Sequence, residues 1–313
     1  MTTGHTRLVR RLATAFLLLA TLLLAACGTS TKVGGGTSSV GKGIKVVVAS
    51  KKDGDGQLLA QMYALLLQQN GYTVDLRLGL GDNKVLDAAI KSSQVDIYPE
   101  FTGTALGNYG LPTTTNPQTA YQEVKTYYES NFHITWLDAA YNLNDSYGIC
   151  TSQANATKYN LKSMADLAAV ANKLTLAGQQ DFTDAKTGVL PPVAKAYGLQ
   201  FKSTQNISEQ LSFDAVKNGN ADVNECYTTD PAIVTDNFVL LTDTKNAFPA
   251  YNPSPIVRDS VLAKSPQIAT ILNALAPKLT TAAQTELIKE VGAGQTKVEV
   301  ATNFLKQQGL LPA

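Results

Sequence analysis

The sequence predicts an α/β protein of two similar lobes, on three observations. The first is an internal repeat. Ala89-Ile90-Lys91-Ser92-Ser93-Gln94-Val95-Asp96-Ile97-Tyr98-Pro99-Glu100-Phe101-Thr102 aligns without gaps on Ala215-Val216-Lys217-Asn218-Gly219-Asn220-Ala221-Asp222-Val223-Asn224-Glu225-Cys226-Tyr227-Thr228. Each copy reads as a helix end, a turn and a strand, with an aromatic five residues after the Asp. The period is far too long for a solenoid, so it marks two lobes or a common pattern met twice. The second observation is a β-α-β-α-β order over residues 44–98, which argues for an open, mostly parallel sheet. The third is a Pro-rich run, residues 248–255, followed by a helical tail. It suits a crossover back to the first lobe, so residues 44–141 and 250–313 form lobe I and residues 142–249 an inserted lobe II.

Ile44-Lys45-Val46-Val47-Val48-Ala49 is a buried-strand run, and residues 50–56 are a polar turn. Leu58, Leu59, Met62, Leu65 and Leu66 then share one helical face. Asn70-Gly71 stops that helix, because glycine tolerates the left-handed cap. Val74, Leu76, Leu78 and Leu80 alternate as in a half-buried strand, and Val85, Leu86, Ala89 and Ile90 mark the next helix. A strand follows over residues 95–98. Residues 103–117 read as a loop, residues 118–130 as a helix and residues 133–137 as a strand, with His133 a structural polar residue. In lobe II, Ser163 and Asp166 form a capping box before Leu167. Residues 173–178 read as a strand and turn, and residues 188–197 as a helix ended by Gly198. The second repeat supplies a helix over 208–218 and a strand over 221–225, and Val239-Leu240-Leu241 a further strand. The tail carries helices around Ile268, Leu272 and Leu275, then around Leu287, Ile288 and Val291.

The N-terminus stands apart from this fold. Arg7, Arg10 and Arg11 precede an apolar stretch, Leu12 to Leu24, too short and wrongly flanked for a lasting span. It ends in Leu24-Ala25-Ala26-Cys27-Gly28, the lipobox pattern of a bacterial lipoprotein signal. Residues 1–27 are thus expected to be a signal peptide ending at Cys27, which would carry lipid. Stable anchoring takes more than one acyl chain, so a multiply acylated Cys27 would hold the protein on the outer face of a cell membrane. Residues 28–43, rich in Gly, Ser and Thr, read as a flexible tether.

Composition narrows the function. Lys and Arg number 26 and Asp and Glu 25, a balance that gives no nucleic-acid surface. With two His, one inside the signal, no metal site is expected. No phosphate-binding loop or nucleophile motif is present, and no cofactor is expected. Cys150 and Cys226 remain outside the signal. In an oxidising compartment they either pair or stay as two buried thiols, and spacing does not decide between these. Glu100 and Glu225 could be paired carboxylates of a glycosidase, one from each lobe, or structural acids. Phe101, Tyr147, Tyr227 and Tyr251 fall at strand ends and crossovers. As a group they are either ordinary core or a cage for a quaternary ammonium, whose charge is drawn to ring faces and which has no N–H to donate.

A set of runs in order then carries a resemblance: Ser50-Lys51, Asp96-Ile97-Tyr98-Pro99-Glu100-Phe101-Thr102-Gly103-Thr104, Thr135-Trp136-Leu137, Asn144-Asp145-Ser146-Tyr147, Tyr227-Thr228-Thr229-Asp230 and Phe248-Pro249-Ala250-Tyr251. Over residues 44–312 the chain resembles the substrate-binding proteins of osmoprotectant ABC importers, the glycine betaine/carnitine/choline-binding family. The resemblance implies a periplasmic-binding-protein-like fold, two α/β lobes closing on a ligand like a trap. It also implies an aromatic box at Phe101, Tyr147, Tyr227 and Tyr251, the Asp145 carbonyl near it, and Lys51 and Thr104 on the ligand carboxylate. The family's arginine falls on Ala185, with only Lys186 close. Phe101 stands for the usual Tyr, and Lys52-Asp53-Gly54-Asp55-Gly56 departs from the family's usual turn. Choline-selective relatives tend to carry an acid at the Thr104 position, and this chain does not.

The reading is therefore a monomeric, lipid-anchored, non-enzymatic protein. It would deliver a quaternary ammonium osmolyte, glycine betaine or a related compound, to the transmembrane subunit of an ABC permease. Two alternatives stand beside it: the same trap tuned to choline or another cationic solute, and an extracytoplasmic hydrolase using Glu100 and Glu225.

Overall fold

The computed structural model describes residues 40–186 and 188–313, and of Glu209 and Gln210 the backbone alone. The signal stretch, Cys27 and most of the tether lie outside the described residues. The rest forms two five-stranded sheets.

The first sheet takes β1 (Lys45–Lys51), β2 (Thr73–Gly81), β3 (Ile97–Phe101) and β4 (Ile134–Trp136) from the first part of the chain, and β10 (Pro253–Arg258) from its last part. The order is β2-β1-β3-β10-β4. The second sheet holds β5 (Tyr147–Ser152), β6 (Thr175–Gly178), β7 (Ser203–Asn206), β8 (Val223–Tyr227) and β9 (Phe238–Leu240), ordered β7-β6-β8-β5-β9. Both sheets carry helices on both faces. On one face of the first, Leu58, Leu59 and Met62 of the helix Gly54–Gln69 pack with Leu272, Val300 and Phe304 of the tail helices. On the other, Leu86, Ile90, Val124 and Tyr128 surround Trp136. Burying one such aliphatic side chain contributes about 1.5–3 kcal/mol, so the tail helices help to hold the first sheet.

The internal repeat has a physical counterpart. Asp96 accepts from the Val47 amide at 2.8 Å while its own amide donates to the Val47 carbonyl at 2.9 Å. Asp222 does the same with Thr175, at 2.8 and 2.9 Å. Each Asp thus staples the start of its strand to the neighbouring parallel strand. The strand then runs to an aromatic five residues after the Asp, Phe101 or Tyr227.

Three expectations need correction. The sheets are mixed, not mostly parallel: β10 runs antiparallel to β3 and β4, and β5 antiparallel to β8 and β9. A chain that crosses from the other lobe arrives at the carboxyl end of β3 or β8 and can only run back along it. Hence Pro253 faces Phe101 and Tyr147 faces Tyr227. The Pro-rich run ends in a true strand; Pro253 and Pro255 are tolerated because they lie beyond the end of β4, pair in the ladder with β3 alone, and on the other side accept through their carbonyls from the Ala140 and Leu137 amides at 2.9 Å. Residues 103–117 are not all loop, since Thr102–Asn108 is helical. Burial of Ala105 and Leu106 in the core outweighs the poor helix propensity of Gly103 and Gly107. His133 is a left-handed helix cap at φ 56°, not a strand residue.

The two crossovers lie side by side. Asn252 donates to the Thr102 hydroxyl at 3.1 Å and, through its side chain, to the Leu143 carbonyl at 2.8 Å. Ser146 donates to the Pro249 carbonyl at 2.8 Å, and the Asp145 amide to the Tyr251 carbonyl at 3.1 Å. These bonds bring Asp145, Tyr147 and Tyr251 to the mouth between the sheets.

Candidate ligand cleft

A cavity of about 380 Å³ opens at the carboxyl ends of the strands, where the two sheets face each other. Phe101, Tyr147, Tyr227 and Tyr251 all line it, with Lys51, Thr104 and Asp145. The fold thus brings together the seven residues named from sequence as ligand contacts.

The rings form a tilted group. Tyr147 and Tyr227 lie 4.7 Å apart at 36°, set by their pairing across β5 and β8. Tyr251 meets Tyr147 edge-on at 5.4 Å and 82°. Behind Tyr147, buried Phe182 packs at 5.4 Å and Phe248 stacks on Phe182 at 6.4 Å, so the ring cannot turn away from the cleft. Tyr251 lies against the backbone of Gly103, where an added Cβ would stand 2.6 Å from the ring. Phe101 closes the opposite side and is 5% exposed. Burial pushes the Tyr147 and Tyr251 hydroxyls well above their ordinary range, so both stay neutral. Neutral rings keep the electron-rich face that a cation requires.

Behind the rings, Cys150 and Cys226 are joined as a disulfide with Cα atoms 5.8 Å apart. It ties β5 to β8 one residue before Tyr227, and geometry thereby settles a pairing that spacing left open.

The polar wall is unevenly charged. Lys51 is buried and ion-paired with Glu100, which is fully buried and also accepts from Tyr98 at 2.9 Å and from the Phe101 amide at 2.7 Å. The Lys51 ammonium lies 5.5 Å from the centre of the Phe101 ring. Glu225, also fully buried, accepts from the Gln179 amide at 2.5 Å. Neither Glu100 nor Glu225 lines the cavity. This corrects the hydrolase alternative: each acid is spent on the framework of its own lobe, with no open face toward a substrate.

Sequence reading missed several wall residues. Asp53 comes from the turn after β1 and Asp55 from the first turn of the helix Gly54–Gln69, Gln179 directly follows β6, Asp181 lies in the short helix Gln180–Thr183, and Asp230 comes from the turn after β8. Asp53 caps the helix Gly54–Gln69 by accepting from the Gly56 amide at 2.5 Å. Asp55 accepts from Gln284 at 2.8 Å, and Asp230 from the Tyr227 amide at 2.6 Å. Asp145 takes a hydrogen bond from the Thr229 hydroxyl. Its carboxyl is held well above the usual carboxylate range, first by burial and then by the charges of Asp55, Asp53 and Asp230. The signal for Asp53 and Asp55 lay in the stretch after Lys51, which departs from the family's usual turn. Ala185 and Lys186, where the resemblance places the family's arginine, are exposed and do not line the cavity.

Two α/β sheets joined by paired crossovers, with an aromatic cleft between them, define a solute-trapping binding protein. Residues 44–307 match the model of the substrate binding domain of ABC-type glycine betaine transport systems, and the chain belongs to that family. It is 30% identical to the carnitine transport binding protein OpuCC of Listeria monocytogenes, over 93% of this chain and 94% of that one. It is also 30% identical to the glycine betaine-binding protein YehZ of Escherichia coli, over 84% and 90%. Among solved structures, that of a glycine betaine/carnitine/choline ABC transporter protein superposes with a TM-score of 0.74 at 25% identity, over 85% of this chain and 99% of that one.

Proposed function

We propose that this protein captures a quaternary ammonium solute between its lobes and hands it to the transmembrane subunit of an ABC importer, without chemical turnover. The observation that carries the reading is the convergence of Phe101, Tyr147, Tyr227 and Tyr251 on one cleft, with Tyr147 backed by Phe182 and tied to Tyr227 across β5 and β8. Ring faces attract a methylated ammonium at roughly 0.5–1 kcal/mol each when exposed and about 2 kcal/mol when desolvated. Several rings together therefore distinguish it from a primary amine, which prefers carboxylates and water. Carnitine and glycine betaine appear in the names of relatives at 30% identity, which supports the same ligand class here.

Phe101, Tyr147, Tyr227 and Tyr251 are the cage in this reading, and Lys51, Thr104 and Asp145 border the rest of the ligand. Residues 44–141 with 250–313, and residues 142–249, are the two moving lobes, and the protein works as a monomer. Cys27 of the Leu24-Ala25-Ala26-Cys27-Gly28 run carries the lipid that keeps it at the outer face of the membrane, beside its permease.

The test is a calorimetric titration with a panel of methylated ammonium compounds and with lysine. The methylated compounds are expected to bind and lysine to fail as a competitor. Lysine binding as tightly as every methylated compound would overturn the cage.

A further inference from the structure

We propose that the helix Pro117–Phe132, which packs on the first sheet, carries a second ligand site away from the inter-sheet cleft. Its ligand is a small organic cation with N–H donors and an apolar body, an arylalkyl primary amine. The site is a groove of about 490 Å³ between that helix and the chain leading into it. Leu111, Pro112 and Tyr127 form its apolar walls, and Glu123 is the one charged residue that lines it. None of these four lines the inter-sheet cleft. Apolar walls around a few placed polar groups, at this volume, are the usual make-up of a small-molecule site.

Glu123 defines what the groove can take. It is half-buried, and its Oε2 is shielded from solvent with no hydrogen-bond partner among the described residues. A buried acceptor left unmatched is unfavourable, and native structures seldom keep one. Its own helix offers no cation: the residues one turn away, Thr119, Ala120, Thr126 and Tyr127, are uncharged. Lys125 reaches Glu129 at 2.7 Å and the Trp136 carbonyl at 3.2 Å instead. Lys91 lies over the rings of Tyr109 and Phe132, next to Tyr127, but is paired with Asp87 at 2.5 Å. The acceptor therefore remains for a donor from outside the chain.

The walls are held in place. Tyr127 packs on Tyr109 at 4.8 Å and on Phe132 at 5.7 Å. The Leu111 amide donates to the Leu106 carbonyl at 2.9 Å, and the Thr114 carbonyl accepts from the Ala250 amide at 3.0 Å. Asn116 caps the helix by accepting from the Thr119 amide at 2.8 Å. An ammonium with N–H groups would give Glu123 a charge-assisted hydrogen bond. Tyr127 stands one turn along the same helix face, so a flat body attached to that ammonium would lie along its ring. A quaternary ammonium has no N–H for the unmatched oxygen. The groove thus favours the class of cation that the aromatic cleft disfavours.

The probes are 2-phenylethylamine and the neutral 2-phenylethanol, titrated by calorimetry into the full chain. The amine is expected to bind with a Kd of about 1 mM or tighter, and the alcohol about tenfold more weakly. Glu123→Gln keeps the shape and removes the charge. It is expected to weaken the amine about tenfold or more and to leave glycine betaine binding as it is. Tyr227→Ala should do the reverse. Amine binding that survives Glu123→Gln, that is lost in Tyr227→Ala instead, or that the alcohol matches would overturn the site. An amine Kd weaker than about 10 mM would overturn it as well. Failure of glycine betaine to bind would bear on the cleft alone.

Discussion

Tyr227 shows how much one residue settles in this cleft. It ends β8, faces Tyr147 across the ladder, and has its amide capped by Asp230. Tyr227→Ala removes one ring face and the support of a second. Binding of a quaternary ammonium is expected to weaken by about tenfold or more, since one desolvated cation–ring contact is about 2 kcal/mol and tenfold is about 1.4 kcal/mol; unchanged affinity by calorimetry would remove Tyr227 from the cage. Asp145 sets a pH dependence. Its carboxyl is raised in the free protein by burial and by Asp55, Asp53 and Asp230, while the Thr229 hydroxyl pulls the other way. A raised carboxyl stabilises the folded state when protonated, and that contribution is lost as pH rises through its folded value. Asp145→Asn is therefore expected to raise the melting temperature at neutral pH. A bound cation favours the ionised form and lowers the same pKa. Cation affinity should be full above the raised value and fall as pH drops through it, with proton release seen as a buffer-dependent binding enthalpy. An affinity that does not change with pH anywhere above the ordinary carboxylate range would contradict this.

At the scale of the element, β5 and β8 form the plate that carries Tyr147 and Tyr227, and the Cys150–Cys226 disulfide pins it. The bridge closes a loop of 76 residues, so chain entropy alone assigns it about 4 kcal/mol. The paired Cys150→Ala, Cys226→Ala variant is expected to unfold at clearly lower urea concentration than the parent. An unchanged midpoint would show that the ladder and the core around Phe213 and Phe238 suffice. The start of the helix Thr102–Asn108 is equally constrained, because Tyr251 occupies the space a side chain at Gly103 would need. Gly103→Ala should displace that ring and weaken binding with little loss of secondary structure, read by titration against far-ultraviolet circular dichroism.

At the scale of the whole molecule, the paired crossovers are the only covalent links between the two sheets among the described residues, and they hydrogen-bond to each other beside the cleft. A ligand touching Phe101 on one sheet and Tyr147 and Tyr227 on the other would draw the sheets together, so binding should reduce the radius of gyration in solution scattering. No change on saturation would argue against closure. The proposed lipid anchor is tested at this scale too. Cys27→Ala is expected to abolish labelled-palmitate incorporation and to release the protein from the membrane fraction, whereas persistent labelling would place the lipid elsewhere.

Much of this was legible in the chain because periodicity and motif are local. The alternation over β2, the helix face through Leu58, Met62 and Leu66, and the repeat ending in Phe101 and Tyr227 are each written within a few consecutive residues. They determined two α/β lobes, and the resemblance to a binding-protein family singled out the seven cleft residues. Strand direction was not local. β10 and β5 are antiparallel because of where the crossing chain enters each sheet, which depends on the position of the other lobe. The helix at Thr102–Asn108 exists because Ala105 and Leu106 meet a core formed by distant segments. Pairing of Cys150 with Cys226 required adjacent strands. Charge, finally, was decided by tertiary structure alone. The sequence offers Lys51 as a free cation and scatters Asp55, Asp145 and Asp230 along 176 positions. Folding pairs Lys51 with Glu100 and gathers the acids on the wall of one cleft, because electrostatic energy depends on distance in space and on burial, neither of which a linear chain specifies.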